Sequence, residues 1–432
     1  METLFLRPVT PLYFGRPGAL PAGEARSGVS WFPPPISAFQ GMIRTRLLDE
    51  ASVFHPRQRV AGLVGEPDSL PDGWQMQGPF PCSAENGSSP VIWLPAPAFL
   101  LQPENWQGRT PPALARPMNG TDGVSPASGD LLLDDAVMPF GEQPRLLGNP
   151  GAGAEKPVGG WMSSRLLFEV LAGNLDRESW RPADYARDLP PFVRQELKIG
   201  LARDKPDEGE GFSLPGRPKE GMLYSLATLR FRERTGLVGW FDGSLVRPLQ
   251  REALSRGQVV AGKKGGIMTF ATLPGADPHW RRIVAGDHLR VTEPAREEMV
   301  WVVLLSSGRW HYGRKRDDNG RLMATAEEML AGAAPGLRRV EVLGMLCPRL
   351  DWLGGFSLAR RRPRPAEAWF APGTSLLVRV EAAENQDAMA LIRARWNSRC
   401  VLAPEEKRPF GYGHILAAPF HEESQEDKED NG

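Results

Sequence analysis

Arg360, Arg361, Arg362 and Arg364 place four guanidinium groups within five positions. Gly354 and Gly355 precede the run, and Pro363 and Pro365 sit inside it. Proline fixes its own φ and disfavours helix in the residue before it, so the run is expected to be extended. Arginine offers phosphate a planar fork of donors and offers bases a flat face. The same run also reads as solvated charge beside a loop. Two further clusters combine glycine with basic residues. One is Lys263-Lys264-Gly265-Gly266, and the other is Lys407-Arg408-Pro409-Phe410-Gly411-Tyr412-Gly413. Glycine lets a backbone approach phosphate closely enough for its amides to donate. Phe410 and Tyr412 add rings that could stack on bases. Glycine before a strand is equally the mark of an ordinary turn. The three clusters together point to nucleic-acid binding, with Lys263, Lys264, Gly265, Gly266, Gly354, Gly355, the four arginines, Arg408, Phe410, Gly411, Gly413 and the adjacent His414 as the candidate residues.

The six histidines are His55, His279, His288, His311, His414 and His421. None makes an HExxH or HxH ligand spacing. His414, next to Gly413, is a candidate general base for RNA cleavage. Its alternative is a packed or surface histidine. No GxxxxGK[ST] loop and no GxSxG elbow occurs. Neither a catalytic set, nor a metal site, nor a cofactor is expected.

The elements that must hold these residues are spread over 432 positions, enough for two or three domains. Net charge is zero, but it is unevenly placed. Residues 421–430 carry six acids against one lysine, which leaves 1–420 at +5. The body is mildly basic, and 421–432 reads as an acidic disordered tail. Overall charge therefore argues little for nucleic acid; the local clusters must do that. Gly 47 and Pro 42 make about a fifth of the chain and predict many loops. Cys82, Cys347 and Cys400 stand far apart, which favours neither a disulfide framework nor zinc and suits a reducing cytoplasm. Arg7 and Pro8 interrupt the start before any apolar core of signal-peptide length. No apolar run approaches the roughly 18 residues of a membrane span.

Apolar periodicity yields an α+β pattern. Residues 3–14 read as a strand, and Ile36, Phe39, Ile43 and Leu47 define one face of a helix. Residues 55–190 read as a long irregular insertion with apolar islands at 91–94 and 98–101. Within it, 163–173 has a serine cap and a glycine stop, and so predicts a helix. Strands follow at 196–202, 222–231 and 265–273, with a short helix near 249–255. Residues 274–288 read as a linker. The order then repeats: strand 298–305, helix 325–334, strands 339–346 and 376–380, helix 385–396, strand 411–418. The expectation is two ferredoxin-like (RRM-like) β-α-β-β-α-β domains, 1–275 and 276–420, with the insertion at about 55–190 in the first.

Several segments resemble the RAMP superfamily of CRISPR effector subunits, most closely the third subunit of the type III-B (Cmr) complex. They are LFLRPVTPLYFG, WFPPPISAFQGMIRTRL, KPVGGWMSSRLLFEVLAG, ELKIGLARD, GMLYSLATLRF, GKKGG, LGGFSLARRRPRPAEAWFAPGTSLLV and GYGHILA, which together span residues 3–418. GKKGG stands where a GGE-type segment is more usual. The resemblance implies a non-catalytic subunit that holds the 5′ handle of a guide RNA. It also implies contact with a large polymerase-like subunit and with backbone RAMP subunits, in a hetero-oligomeric ribonucleoprotein. Two alternatives stay open. One is a RAMP endoribonuclease that processes precursor guide RNA, with His414 or His311 as base. The other is the equivalent handle-binding subunit of a type III-A complex.

Overall fold

The computed structural model describes residues 2–15, 26–50, 64–66, 69–84, 90–103, 106–117, 147–148, 156–203, 218–242, 254–262, 265–272, 277–289, 294–311, 324–357 and 362–421. These residues form a mixed α+β fold with many strands and few helices. They group into two compact units, neither of which is a contiguous half of the chain. Unit one takes Met1–Pro90, Leu189–Gly275 and Trp352–Ala368; unit two takes Val91–Asp188, Ala276–Asp351 and Trp369–Gly432. This differs from the expected division into 1–275 and 276–420. Residues 91–188, expected as part of an insertion in the first domain, cluster with the second unit. The short helix expected near 249–255 falls mostly, and the acidic tail almost wholly, outside the described residues.

Unit one is built on β1 (Glu2–Pro8), α1 (Ile36–Glu50), β2 (Met76–Ser83), β3 (Thr235–Phe241) and β4 (Gly266–Thr272). The strands lie in the order β2-β3-β1-β4, all antiparallel, and the strand Arg256–Ala261 pairs with β4 beyond them. Strand side chains alternate between faces, so register decides which ones meet. Leu6 lies opposite both Leu237 and Phe270, and all three are buried. On α1, Phe39, Ile43 and Leu47 recur every fourth residue and are buried. Gly239 makes room for the helix: a Cβ there would fall 2.8 Å from Cε1 of Phe39.

Two strands expected in this sheet are elsewhere. Val193–Arg203 and Pro218–Phe231 pair with each other and with Arg26–Val29 in a separate three-stranded sheet. Their places in the main sheet are taken by β2 and β3. The reason is chemical. β2 reads MQGPFPCS, and its two prolines lack the N–H that marks a strand interior. β3 reads TGLVGWF, and its glycines look like turn residues.

Unit two contains β5 (Glu297–Leu304), α2 (Ala326–Ala333), β6 (Leu337–Leu346), β7 (Ser375–Ala382), α3 (Ala388–Arg395) and β8 (His414–Pro419). The strand order is β6-β7-β5-β8, again antiparallel. Val300 and Val302 of β5 face Val378 and Leu376 across the ladder, in one buried cluster with Met389, Ile392 and Trp396. Thr325 caps α2 in a reciprocal box with Glu328, as its sequence position predicted. Asp387 caps α3 through the Met389 amide.

The helix Ser164–Leu171 starts at a Ser163 cap, as expected. The supposed linker, in contrast, contains a helix, Pro278–Ala285, capped by Asp277. Asp277 is fully buried and accepts from the amides of Ile92, His279 and Trp280 and from the Ser164 hydroxyl. That one carboxylate ties the start of 91–188 to the start of 277–285 inside unit two. No helix among the described residues is long and apolar enough to cross a membrane.

Candidate nucleic-acid interface

The arginine run lies on a two-stranded ribbon made of Leu350–Ser357 and Arg362–Phe370. Its second strand is the extended conformation that Pro363 and Pro365 dictate. Arg360 and Arg361 lie outside the described residues, while Arg362 and Arg364 are exposed. The amide of Ala371 donates to Arg349 O at 3.2 Å. A Cβ on Gly354 would fall 3.1 Å from Cα of Ala366. Both observations give one register, with Gly354 opposite Ala366 and Trp352 opposite Ala368. Gly354 therefore serves the close approach of two strands. Gly355 has φ +113° and open space around it.

Gly265 and Gly266 sit at the turn between Arg256–Ala261 and β4. Lys263 and Lys264 lie outside the described residues. Gly265 is exposed at φ +67° with open space around it, as a phosphate-facing glycine should be. Gly266 is not: a Cβ there would meet Cδ2 of Leu12 at 2.7 Å.

The third cluster is one loop of unit two. Glu405–Phe410 forms a short 3-10 turn that ends at Gly411, with φ +97°. Gly413 follows at φ +65°. Both glycines meet the segment that leaves β5. Ser306 Oγ donates to Gly411 O at 2.7 Å, and the Gly413 amide donates to Ser307 O at 2.9 Å. A Cβ on Gly413 would fall 2.6 Å from Ala403 N. Gly413 therefore admits protein backbone at close range. Phe410 is buried, so its ring is committed to the core and leaves no face for a base. Arg408 is half-buried and its Nε donates to Ala403 O at 2.9 Å. Burial lowers its pKa, with the Glu405 carboxylate opposing the shift.

His414 is fully buried on β8. Its amide donates to Ser306 Oγ at 2.9 Å, and its Nε2 lies 3.1 Å from Ser398 Oγ. Burial holds its pKa down at about 3, so the ring is neutral at pH 7. A neutral imidazole sealed from solvent is the packed histidine of the two readings. His311 is half-buried and bridges to Thr325. Among the described residues no group of three His, Cys, Asp or Glu side chains converges as a metal would require.

Beside the loop, Arg309 lies over the Trp369 ring at 5.8 Å, and the Trp369 and Tyr412 rings are 4.8 Å apart. Arg309 escaped the sequence reading. The segment Ser306-Ser-Gly-Arg-Trp310 carries the same glycine-plus-base signal as the others, placed directly after a strand.

The chain has recognisable relatives. A family model described as CRISPR-associated protein (Cas_Cmr3) matches residues 4–419. A chain in the cryo-EM structure of the Type III-B Cmr-beta bound to cognate target RNA and AMPPnP is 14% identical, with a TM-score of 0.43, over 87% of this chain and 86% of that one. A chain of Cmr-beta bound to cognate target RNA gives the same figures. A chain of the Csm3-Csm4 subcomplex of the type III-A CRISPR-Cas interference complex is 10% identical, with a TM-score of 0.38, over 98% of this chain and 100% of that one. No curated protein matches the chain.

Proposed function

The chain belongs to the Cas_Cmr3 family of CRISPR-associated proteins, and from that premise we infer that it is a non-catalytic subunit of a type III-B effector complex that holds the 5′ handle of the guide RNA. In this reading it bridges a large polymerase-like subunit to the backbone RAMP subunits, within a cytoplasmic ribonucleoprotein. Both units are ferredoxin-like at their centres. The order β6-β7-β5-β8 with α2 and α3, and the order β2-β3-β1-β4 with α1, support that.

The observation that carries the RNA reading is the ribbon. Arg362 and Arg364 stand exposed on an extended strand, where planar donors can follow a phosphate backbone. The burial of His414 supports a holding role over a cutting one. The test has two arms. Affinity purification from a host that carries the CRISPR array should bring down guide RNA and several protein chains. Repeat-containing RNA incubated with the purified chain, with and without divalent metal, should remain intact. Cleavage that vanishes in His414→Ala would establish the processing-nuclease reading instead.

A further inference from the structure

Side chains alternate across a strand, and directly opposed residues of an antiparallel pair share a face. With Gly354 opposite Ala366, the residues Trp352, Ala368, Ala366, Arg364 and Arg362 all lie on one face of the ribbon, and Gly354 lies between them. Asp351, Pro363, Pro365, Glu367 and Trp369 lie on the other. The first face carries cationic charge and, among the described residues of the ribbon, no acid.

Trp352 is 59% exposed, and among the described residues it is the one exposed tryptophan. A solvent-facing indole forgoes apolar burial that a folded chain normally gains, which makes such a residue informative. Its floor is Gly354, Ala366 and Ala368, none of which has a side chain large enough to cover an indole. Arg364 lies four positions along the strand from Ala368, or about 13 Å away, and Arg362 about 20 Å away. A flat ring at one end, a low floor, and guanidinium groups further along suit a polyanion that carries planar groups. Single-stranded nucleic acid has that chemistry, because every base has a π-face and every linkage a charge.

We propose that this ribbon face is a stacking platform for single-stranded RNA, with Trp352 under one base and Arg364 and Arg362 on the phosphates that follow. This rests on the reading that the chain holds guide RNA, and it names the side chain that would hold a base. A platform of this kind recognises stacking rather than base edges, so it tolerates any base.

The experiment uses the full chain, with short oligouridine and oligoadenosine RNA as probes. Trp352→Ala should weaken binding to both by roughly 5- to 150-fold and leave the salt dependence unchanged, because stacking displaces no counterions. Trp352→Phe should restore most of the affinity. Arg362→Ala with Arg364→Ala should instead flatten the salt slope by about 0.7 for each phosphate no longer neutralised. Ultraviolet cross-linking should map to the peptide that contains Trp352. RNA affinity that is unchanged in Trp352→Ala, while a protein chain is stripped from the purified complex, makes this face a protein-binding surface and overturns the proposal alone. A wild-type chain with no affinity for either RNA overturns the guide-RNA reading, and the proposal with it.

Discussion

The amide of Leu402 donates to the carbonyl of Gly413 at 3.1 Å, and the Val401 amide donates to the same oxygen at 2.8 Å. Gly413 is thus held face to face with protein backbone, at φ +65°, with no volume for a side chain.

Because of that close approach, Gly413→Val should destabilise unit two before it affects any ligand. A branched residue at positive φ costs about 1–2 kcal/mol, and overpacking adds about 1–3. The apparent unfolding free energy should fall by roughly 2–5 kcal/mol in urea titrations followed by circular dichroism. Gly265→Ala, at an exposed turn, should cost at most about 2 kcal/mol, since only strain at φ +67° opposes it.

The two buried histidines make stability depend on pH. Burial lowers His414 to about 3 and His288 to about 4, against 6.5 for an ordinary histidine. Below pH 6.5 the unfolded chain takes up protons that the folded chain refuses. The contribution is therefore complete above pH 6.5 and is lost as pH falls toward 4 and 3. Each group adds up to about 1.4 kcal/mol per pH unit inside that window. Urea midpoints should drop between about pH 7 and pH 5. In His414→Phe the slope should be roughly halved; an unchanged slope would mean that His414 is not buried neutral.

Asp277 caps a helix and also ties two distant segments together. Asp277→Ala would strip a cap and leave several buried donors without their acceptor. Cap loss costs about 1 kcal/mol, and unsatisfied buried donors cost about 1–3 more each. A decrease of at least about 3 kcal/mol in thermal or urea unfolding is expected. Ser164→Ala removes only one of the four donors and should cost about 1 kcal/mol. Equal effects of the two would refute the tie.

Particular residues explain what could be read before the fold was known. In unit two the strand EEMVWVVL ends in an unbroken apolar run, and Thr325 and Asp387 are caps with a local mechanism. Local signals suffice there, and the repeat order was visible. In unit one the true strand β2 is masked by Pro79 and Pro81, whereas Glu196-Leu-Lys-Ile alternates cleanly on a separate sheet where Leu197 and Ile199 stay exposed. Alternation announces a strand but not its partner. The link from Ile92 to Asp277 spans 185 positions and leaves no periodic trace. The site divides in the same way. Charge density and proline marked the ribbon, but the face shared by Trp352 and Arg364 depends on pairing register. The burial of Phe410 and His414 and the close backbone at Gly413 left no mark in the sequence, because glycine serves a close protein backbone as readily as a phosphate.

If Arg360, Arg361, Arg362 and Arg364 together follow the RNA handle, they neutralise phosphates and release counterions. Single-strand affinity then falls with salt at a slope of about −0.7 for each phosphate contacted. Changing all four to alanine should flatten that slope by roughly two units if about three make contact. The weakening should be alike for RNAs of different sequence, because phosphate contacts position a strand without reading it. Folding should be unaffected, since Arg362 and Arg364 are exposed and leave no cavity. Circular dichroism checks that point, and fluorescence anisotropy at several salt concentrations gives the slope. A quadruple variant with the wild-type affinity and slope would assign these arginines to a protein partner or to solvent. A variant that loses affinity on one RNA sequence only would mean that the guanidinium groups read base edges.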